Sequence, residues 1–394
     1  MTTSQFTIHH SPFTIQNIST TVFRLPLHGS LQWGKHGALH EVRHVLVRVR
    51  LSNGAEGMAE APPRPTIYGE TPASITSIIA QELAPRLLGQ SAADLSPMYA
   101  VKNNHTAKGA LDMAVQAALA TSSGMALTEF LLEKIKDLRL KNGSQMPIFN
   151  HSAGSGQALQ SSIFVSYILG MGDEETVLAE AQRVFDQGVR VLKVKVGRDW
   201  AADMRRIEAL QTLFGGEMAL YADANECLET ETAGKQLKQL AEMGLLYCEE
   251  PLPVEQILER AALRAGGHLP LIADDSAFTE RDLRRELALD TFDILNIKTP
   301  RTGFSESLAM LALARQAGKG VMVGSQAGTA LGAARAGQFA ALPGIDHPSE
   351  LSFFLKLKED IVRERPFIHN GFISVADLNR VEIDENLLRG AEVK

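Results

Sequence analysis

The chain has 394 residues, 45% hydrophobic and 22% charged, with 32 Gly and 16 Pro, a soluble globular composition long enough for two domains. A formal net charge of −7 with acidic and basic residues interspersed leaves no basic face for nucleic acid or an anionic membrane. Two cysteines, Cys227 and Cys248, are too few for a disulfide framework, and neither a signal peptide nor an apolar run of ~18 residues is present, so a cytoplasmic protein is expected.

Residues 15–23 and 42–51 (VRHVLVRVRL) alternate apolar and polar side chains, which predicts half-buried antiparallel strands. Ser52-Asn53-Gly54 is a turn signal after the second. Helical periodicity follows over 73–88 and 107–125, so residues 1–150 read as an α+β unit. From Ser161 the rhythm changes. IFVSYIL, VLKVKV, MALYADAN, LLYCEEP, LPLIADD, FDILNIK and GVMVGSQ are strand-sized apolar runs, each followed by an amphipathic stretch. Seven β→α steps without a Rossmann glycine fingerprint predict a closed parallel barrel over 151–366, with a doubly wound sheet as the alternative. After Phe367 this rhythm stops, and residues 367–394 are expected to return to the first domain.

Function in such barrels sits where strands end, at the C-terminal face. The second strand ends with Lys193 and Lys195, the third with Asp223 and Asn225, the fourth with Glu249 and Glu250, the fifth with Asp274 and Asp275, the sixth with Lys298. The gaps Asp223–Glu249, Glu249–Asp274 and Asp274–Lys298 are 26, 25 and 24 residues, one β/α unit each, so these side chains converge. One carboxylate at a strand end reads as a helix cap. Three in register repel one another unless a cation neutralises them, and an all-oxygen set suits Mg²⁺, with Mn²⁺ able to stand in. Lys193 and Lys195 share a strand face. Each lysine's charge, together with the metal's, is expected to lower the other's pKa toward that of a base.

The KVKVG, DAN, EEP, ADDS and NIK segments resemble the enolase superfamily, and the Lys-x-Lys pattern with a later Lys resembles its muconate lactonizing enzyme-like subgroup. The resemblance covers nearly the whole chain. It implies a (β/α)₇β TIM-like barrel with an α+β N-terminal capping domain completed by the C-terminal tail. It also implies that Asp223, Glu249 and Asp274 bind Mg²⁺, that Lys195 and Lys298 are the acid/base pair, and that Lys193 tunes Lys195. Asn225 and Glu250 are expected to support these groups. In this superfamily a Lys or His base acts with Mg²⁺ stabilising an enediolate. The reaction implied is proton abstraction α to a carboxylate, ending in racemisation or epimerisation of an amino acid derivative. A muconate-type cycloisomerase or a carboxylate dehydratase would use the same residues.

Candidate specificity residues are Trp33, Tyr68, Ser325, Gln326, Asp346 and Glu350, with Arg301 either orienting a distal substrate group or standing on the surface. Relatives acting on dipeptides are expected to carry an Asp-x-Asp pair near the eighth strand. Here that segment reads Asp346-His347-Pro348, which disfavours a dipeptide. Gly324–Thr329 is glycine-bearing and offers the remote alternative of a sugar-phosphate site. The expected partner is a small carboxylate-bearing substrate, and a homo-oligomer is expected.

Overall fold

The structure, a computed structural model, describes residues 12–32, 38–141 and 158–393. Strands β1 (Ile15–Gln32), β2 (Ala38–Leu51) and β3 (Glu56–Ala61) form an antiparallel sheet in that order. The expected alternation holds at the end of β2, where Val47, Val49 and Leu51 are buried while Arg48 is half-buried and Arg50 exposed; over 44–47 both faces are covered, with His44, Val45, Leu46 and Val47 all buried. The helical stretch 73–88 is broken into α1 (Pro72–Ile78), a π-turn (Ile79–Leu83) and α2 (Ala84–Leu87). Pro85 lacks an N–H and its ring excludes an ordinary α-turn before it, and the Ala84 N–H accordingly reaches back to the Ile79 carbonyl. Helices α3 (His105–Ser122) and α4 (Leu127–Lys141) follow.

Beyond the described gap, β4 (Ser162–Phe164) and β5 (Tyr167–Ile168) precede α5 (Glu174–Asp186). Then come β6 (Val191–Lys195), α6 (Trp200–Phe214), β7 (Ala219–Asp223) and α7 (Thr230–Glu242). β8 (Cys248–Glu249), α8 (Ile257–Ala265), β9 (Leu271–Ala273) and α9 (Glu280–Leu289) continue the alternation. β10 (Ile294–Ile297), α10 (Thr299–Gln316), β11 (Gly320–Val323) and α11 (Ala330–Ala340) complete it. Strands β5 to β11 make one parallel sheet in unbroken sequence order. A doubly wound sheet reverses its strand order, so that alternative is excluded. Past α11, the Glu350 N–H donates to Val323 O at 2.8 Å and the Ser166 N–H to Ser349 O at 2.9 Å. The 346–351 segment therefore bonds to both edges of this barrel-like sheet.

Period-two alternation sorts the inward face into layers. Val191, Tyr221, Tyr247, Ile272, Ile294 and Met322 form their own apolar cluster. Two residues further along the same strands stand Lys193, Asp223, Glu249, Asp274 and Asn296. The apolar layer is the floor on which the charged layer rests.

The run read as one first strand is divided between two sheets. β4 pairs with β13 (Phe372–Ser374), which pairs with β12 (Ile368–His369), while β5 joins the parallel sheet. After α12 (Val375–Arg380) and α13 (Glu385–Ala391), Val393 N–H donates to Val22 O at 2.9 Å and Arg48 pairs with Glu385 at 2.5 Å. The chain end thus lies on β1 and β2. Between the two halves, α3 packs on α10 so closely that a Cβ at Gly109 would lie 2.4 Å from Pro300 O. Asp112 of α3 accepts from the Phe304 and Ser305 amides and from Ser305 Oγ. Gly303, at φ +66°, gives the backbone the turn that presents them. No described helix is long and apolar enough to cross a membrane.

Candidate active site

Strand register brings the charged ends together. Lys195 is the partner of Asp223, and Asp223 of Glu249, across β6, β7 and β8. Glu249 pairs with Ile272, so Asp274, just past the end of β9, stands two residues higher. Lys193, Lys195, Asp223, Asn225, Glu249, Asp274, Lys298, Tyr68, Ser325, Gln326 and Glu350 all line one pocket, which Arg64, Ile67, Ile168, Asp275, Ala327 and Phe353 complete. Its water-accessible volume is about 110 Å³; one water needs roughly 10–15 Å³ on that measure, so a small organic molecule fits.

Lysines and carboxylates interdigitate. Lys193 Nζ lies 2.6 Å from Glu249, 2.6 Å from Glu350 and 2.9 Å from Asp223. Lys195 Nζ donates to Asp223 Oδ2 at 2.6 Å and to Asn225 Oδ1 at 2.7 Å. Lys298 Nζ donates to Asp274 Oδ2. Lys195 and Lys298 therefore grip the two ends of the triad, with Lys193 between.

Burial pushes the Lys193 and Lys298 ammoniums down, but the facing carboxylates more than offset it and hold both above the ordinary lysine range. Lys193 and Lys298 each have carboxylates in contact, whereas the lowering expected from sequence invokes the charge of a bound metal as well. Burial pushes the Asp223 carboxyl up, yet Lys193 and Lys195 hold it well below the usual range; at Asp274 too burial is outweighed, by Lys298 and Arg301, and the carboxyl is lowered. Glu249 goes the other way: burial and then the neighbouring Asp223, Glu350 and Asp274 charges outweigh Lys193 and raise it.

Glu250 points away from the lysines. Its Oε1 accepts from the Asp274 N–H at 2.6 Å, the Ser276 N–H at 2.9 Å and Ser276 Oγ at 2.6 Å, and burial pushes its carboxyl up to about 7. It braces the loop carrying Asp274, while Asn225 braces Lys195. Asp275 lines the pocket from that loop and accepts from Arg301 Nη1 at 3.2 Å.

The specificity candidates divide. Trp33 lies outside the described residues. Tyr68 lines the pocket, edge-on to Phe278 at 5.1 Å. Ser325 and Gln326 lie in the wall. Glu350 is in the pocket, but as the partner of Lys193, of Tyr221 Oη at 3.0 Å and of the Ser325 N–H at 3.0 Å. Asp346 is not: it accepts from the Val321 N–H at 2.9 Å and pairs with Arg315 at 2.6 Å. The sequence order was right, but the segment enters the sheet at Asp346 and reaches the pocket only at Glu350, a strand's length away. Arg301 is fully buried rather than on the surface, against Asp274 and Asp275 and 4.5 Å from the Phe278 ring centre. The phosphate-loop alternative for 324–329 is disfavoured by where its amides go. The Ser325 N–H donates to Glu350, the Ala327 N–H to Ser325 Oγ and the Thr329 N–H to Glu60, so two of these amides already face carboxylates, whose charge disfavours a phosphate.

Two further residues escaped the sequence reading. Asn296 is completely buried, its Nδ2 donating to Glu249 Oε2 at 3.2 Å, with Oδ1 unpaired; its parity with Ile294 on β10 could have flagged it. Arg64, from the first domain, donates to Pro63 O and Gln326 O, a contact across 262 residues that no local pattern announces.

Among the described residues no three His, Cys, Asp or Glu side chains stand as a ready-made metal cluster, because lysine Nζ atoms are interposed. The donor chemistry nevertheless fits a hard divalent cation. Asp223, Glu249 and Asp274 are all-oxygen, at least 96% buried and converge on positive charge.

Comparison with known proteins agrees with this geometry. Residues 18–131 match the model for the mandelate racemase / muconate lactonizing enzyme N-terminal domain, and residues 176–381 the enolase C-terminal domain-like model. The chain is 28% identical over 312 residues to the L-Ala-D/L-Glu epimerase of Bacillus subtilis, covering 77% of this chain and 78% of that one. It is 25% identical over 357 residues to the N-succinyl-L-Arg/Lys racemase of Bacillus cereus, covering 88% and 89%. The solved muconate lactonizing enzyme from Mucobacterium Smegmatis, complexed with muconolactone, superposes with a TM-score of 0.84 at 31% identity, covering 97% of this chain and all of that one. Matched in both halves, the chain belongs to the mandelate racemase / muconate lactonizing enzyme family of the enolase superfamily.

Proposed function

We propose that this chain is an isomerase that removes the proton next to a substrate carboxylate and returns one to the same carbon, racemising or epimerising an amino acid derivative. The observation that carries the reading is the placement of Lys195 and Lys298 at opposite ends of the carboxylate triad in one pocket. Mg²⁺ held by Asp223, Glu249 and Asp274, with Mn²⁺ able to stand in, would supply positive charge to the substrate carboxylate and engage the side chains that otherwise ion-pair with the lysines. Lys195, steadied by Asn225, and Lys298 then face the α-carbon from two sides, one taking its proton and the other donating. Lys193 holds Glu249 and Glu350 in place, and Tyr68 with Ile67 forms the wall toward the first domain.

The similarity to proteins named as an L-Ala-D/L-Glu epimerase and an N-succinyl-L-Arg/Lys racemase supports this reading. The muconolactone complex among the similar structures favours a second one, cycloisomerisation, with one lysine as proton carrier and the other as a charge. We further infer a closed (β/α)₇β barrel over 151–366, a capping domain over 1–150 and a return segment over 367–394. The bonds of 346–351 to both sheet edges support closure. Cys227 and Cys248 form no disulfide, in keeping with a reducing, cytoplasmic setting.

The test is α-proton exchange in D₂O on N-acylamino acids, proline derivatives and muconate, before and after EDTA. Exchange should vanish on chelation and return with Mg²⁺ or Mn²⁺; full activity of metal-stripped protein would refute the reading.

A further inference from the structure

A second cleft lies apart from the lysines and carboxylates of the active-site pocket. It opens where β3, the turn between α3 and α4, α11 and residues 379–385 of the return segment meet. Its water-accessible volume is about 470 Å³, against about 110 Å³ for the active-site pocket, and among the described residues the two share no lining residue. Arg335 of α11 is the only lysine or arginine in its described wall.

That guanidinium is half-buried and held in place. Its Nε donates to Met58 O at 2.8 Å and its Nη1 to Gln338 Oε1 at 2.9 Å, while Gln338 Nε2 donates on to Asn379 Oδ1 at 3.0 Å. Both acceptors are neutral. Buried Lys193, Lys298, Arg260 and Arg301 each touch a carboxylate, whereas Arg335 touches none among the described residues. Burial therefore goes unopposed and pushes its pKa down to about 10, which leaves it charged at neutral pH. A guanidinium has five N–H donors, so Nη2 and one hydrogen of Nη1 remain for a ligand.

The acids of the same wall are already answered. Glu56 pairs with Arg50 at 2.5 Å, Glu385 with Arg48 at 2.5 Å and Glu382 with Arg363 at 3.2 Å, all arginines outside the cleft wall. These carboxylates disfavour a multiply charged anion. A planar monocarboxylate matches the guanidinium fork, and Met58, Ala117, Leu127 and Leu331 give a short hydrocarbon part an apolar surface to cover.

We propose that the cleft at Arg335 is a second small-molecule site, taking a singly charged carboxylate with a short apolar tail on the guanidinium, separate from the active-site pocket.

Isothermal titration calorimetry of the full chain in Mg²⁺ with butyrate, butyramide and inorganic phosphate tests this, in wild type, Arg335→Met and Thr121→Phe. Thr121 is an exposed residue of the cleft wall. Phenylalanine there fills the space and leaves the guanidinium intact, so it carries the test if Arg335→Met fails to fold. Wild type should show a butyrate-binding component that weakens roughly 10- to 150-fold in both variants, as loss of a charge-assisted pair implies. Butyramide, with the same shape and no charge, should not compete for it, and phosphate should bind more weakly than butyrate. Butyrate isotherms identical in wild type and either folded variant would place all the binding in the active-site pocket and overturn the proposal. Phosphate binding as tightly as butyrate, or no butyrate binding at all, would overturn it too.

Discussion

Glu249 and Glu250 are neighbours in the chain and opposites in the site. Parity decides it: Glu249 follows Tyr247 into the barrel-like interior, while Glu250, at φ +37°, turns to hold the Asp274 and Ser276 amides. Glu249→Gln should therefore abolish exchange at any Mg²⁺ concentration. Glu250→Gln should weaken Mg²⁺ about 10- to 100-fold, as loss of a bracing group does, and recover at high Mg²⁺. A magnesium titration of both variants checks this, and recovery by Glu249→Gln with none by Glu250→Gln would reverse the assignment. At this scale the charged strand ends were legible in sequence because nothing in a packed barrel requires them. Which of two adjacent acids faces inward was not, since Tyr247 and Cys248 are both apolar enough to be the buried one. The error at Asp346 has the same root: sequence shows that a strand is near, and only the sheet shows which end of it a residue occupies.

Elements were legible where a local pattern decided them and illegible where a distant partner did. The β→α alternation emerged directly because each strand is a short apolar run before an amphipathic helix. IFVSYIL was split because Phe372 and Ile373, some 200 residues on, claim Phe164 and Ile163. The strand Glu56–Ala61 passed unread because EGMAEA carries two carboxylates, yet Glu60 is 1% exposed. That residue joins the two halves: its oxygens accept from the Thr329 N–H at 2.7 Å and Oγ1 at 2.8 Å, beside His44 Nδ1 at 3.4 Å. Glu60→Ala should cost about 1–3 kcal/mol for each buried group left unpaired. It should also loosen the loop carrying Ser325 and Gln326. Urea unfolding reads the first effect as a lower midpoint at unchanged slope; an unaltered midpoint would mean that this link bears no load.

For the whole molecule, regular one-unit spacing was the strongest signal, since equal gaps on parallel strands leave side chains little choice but to meet. The return of the chain end to β1 and β2 was legible only as the point where the rhythm stops. The arrangement that results is a two-sided site. Lys195 on the second strand of the parallel sheet and Lys298 after the sixth flank Asp223, Glu249 and Asp274. On the proposed reading, a carboxylate substrate held at the triad would have one lysine on each face, which inversion at the α-carbon requires. Solvent-deuterium exchange from each enantiomer of one N-acylamino acid, followed in Lys195→Ala and Lys298→Ala, tests this most directly. The account predicts that each variant loses exchange from a different enantiomer and retains some from the other; loss from the same single enantiomer in both would contradict the two-base site.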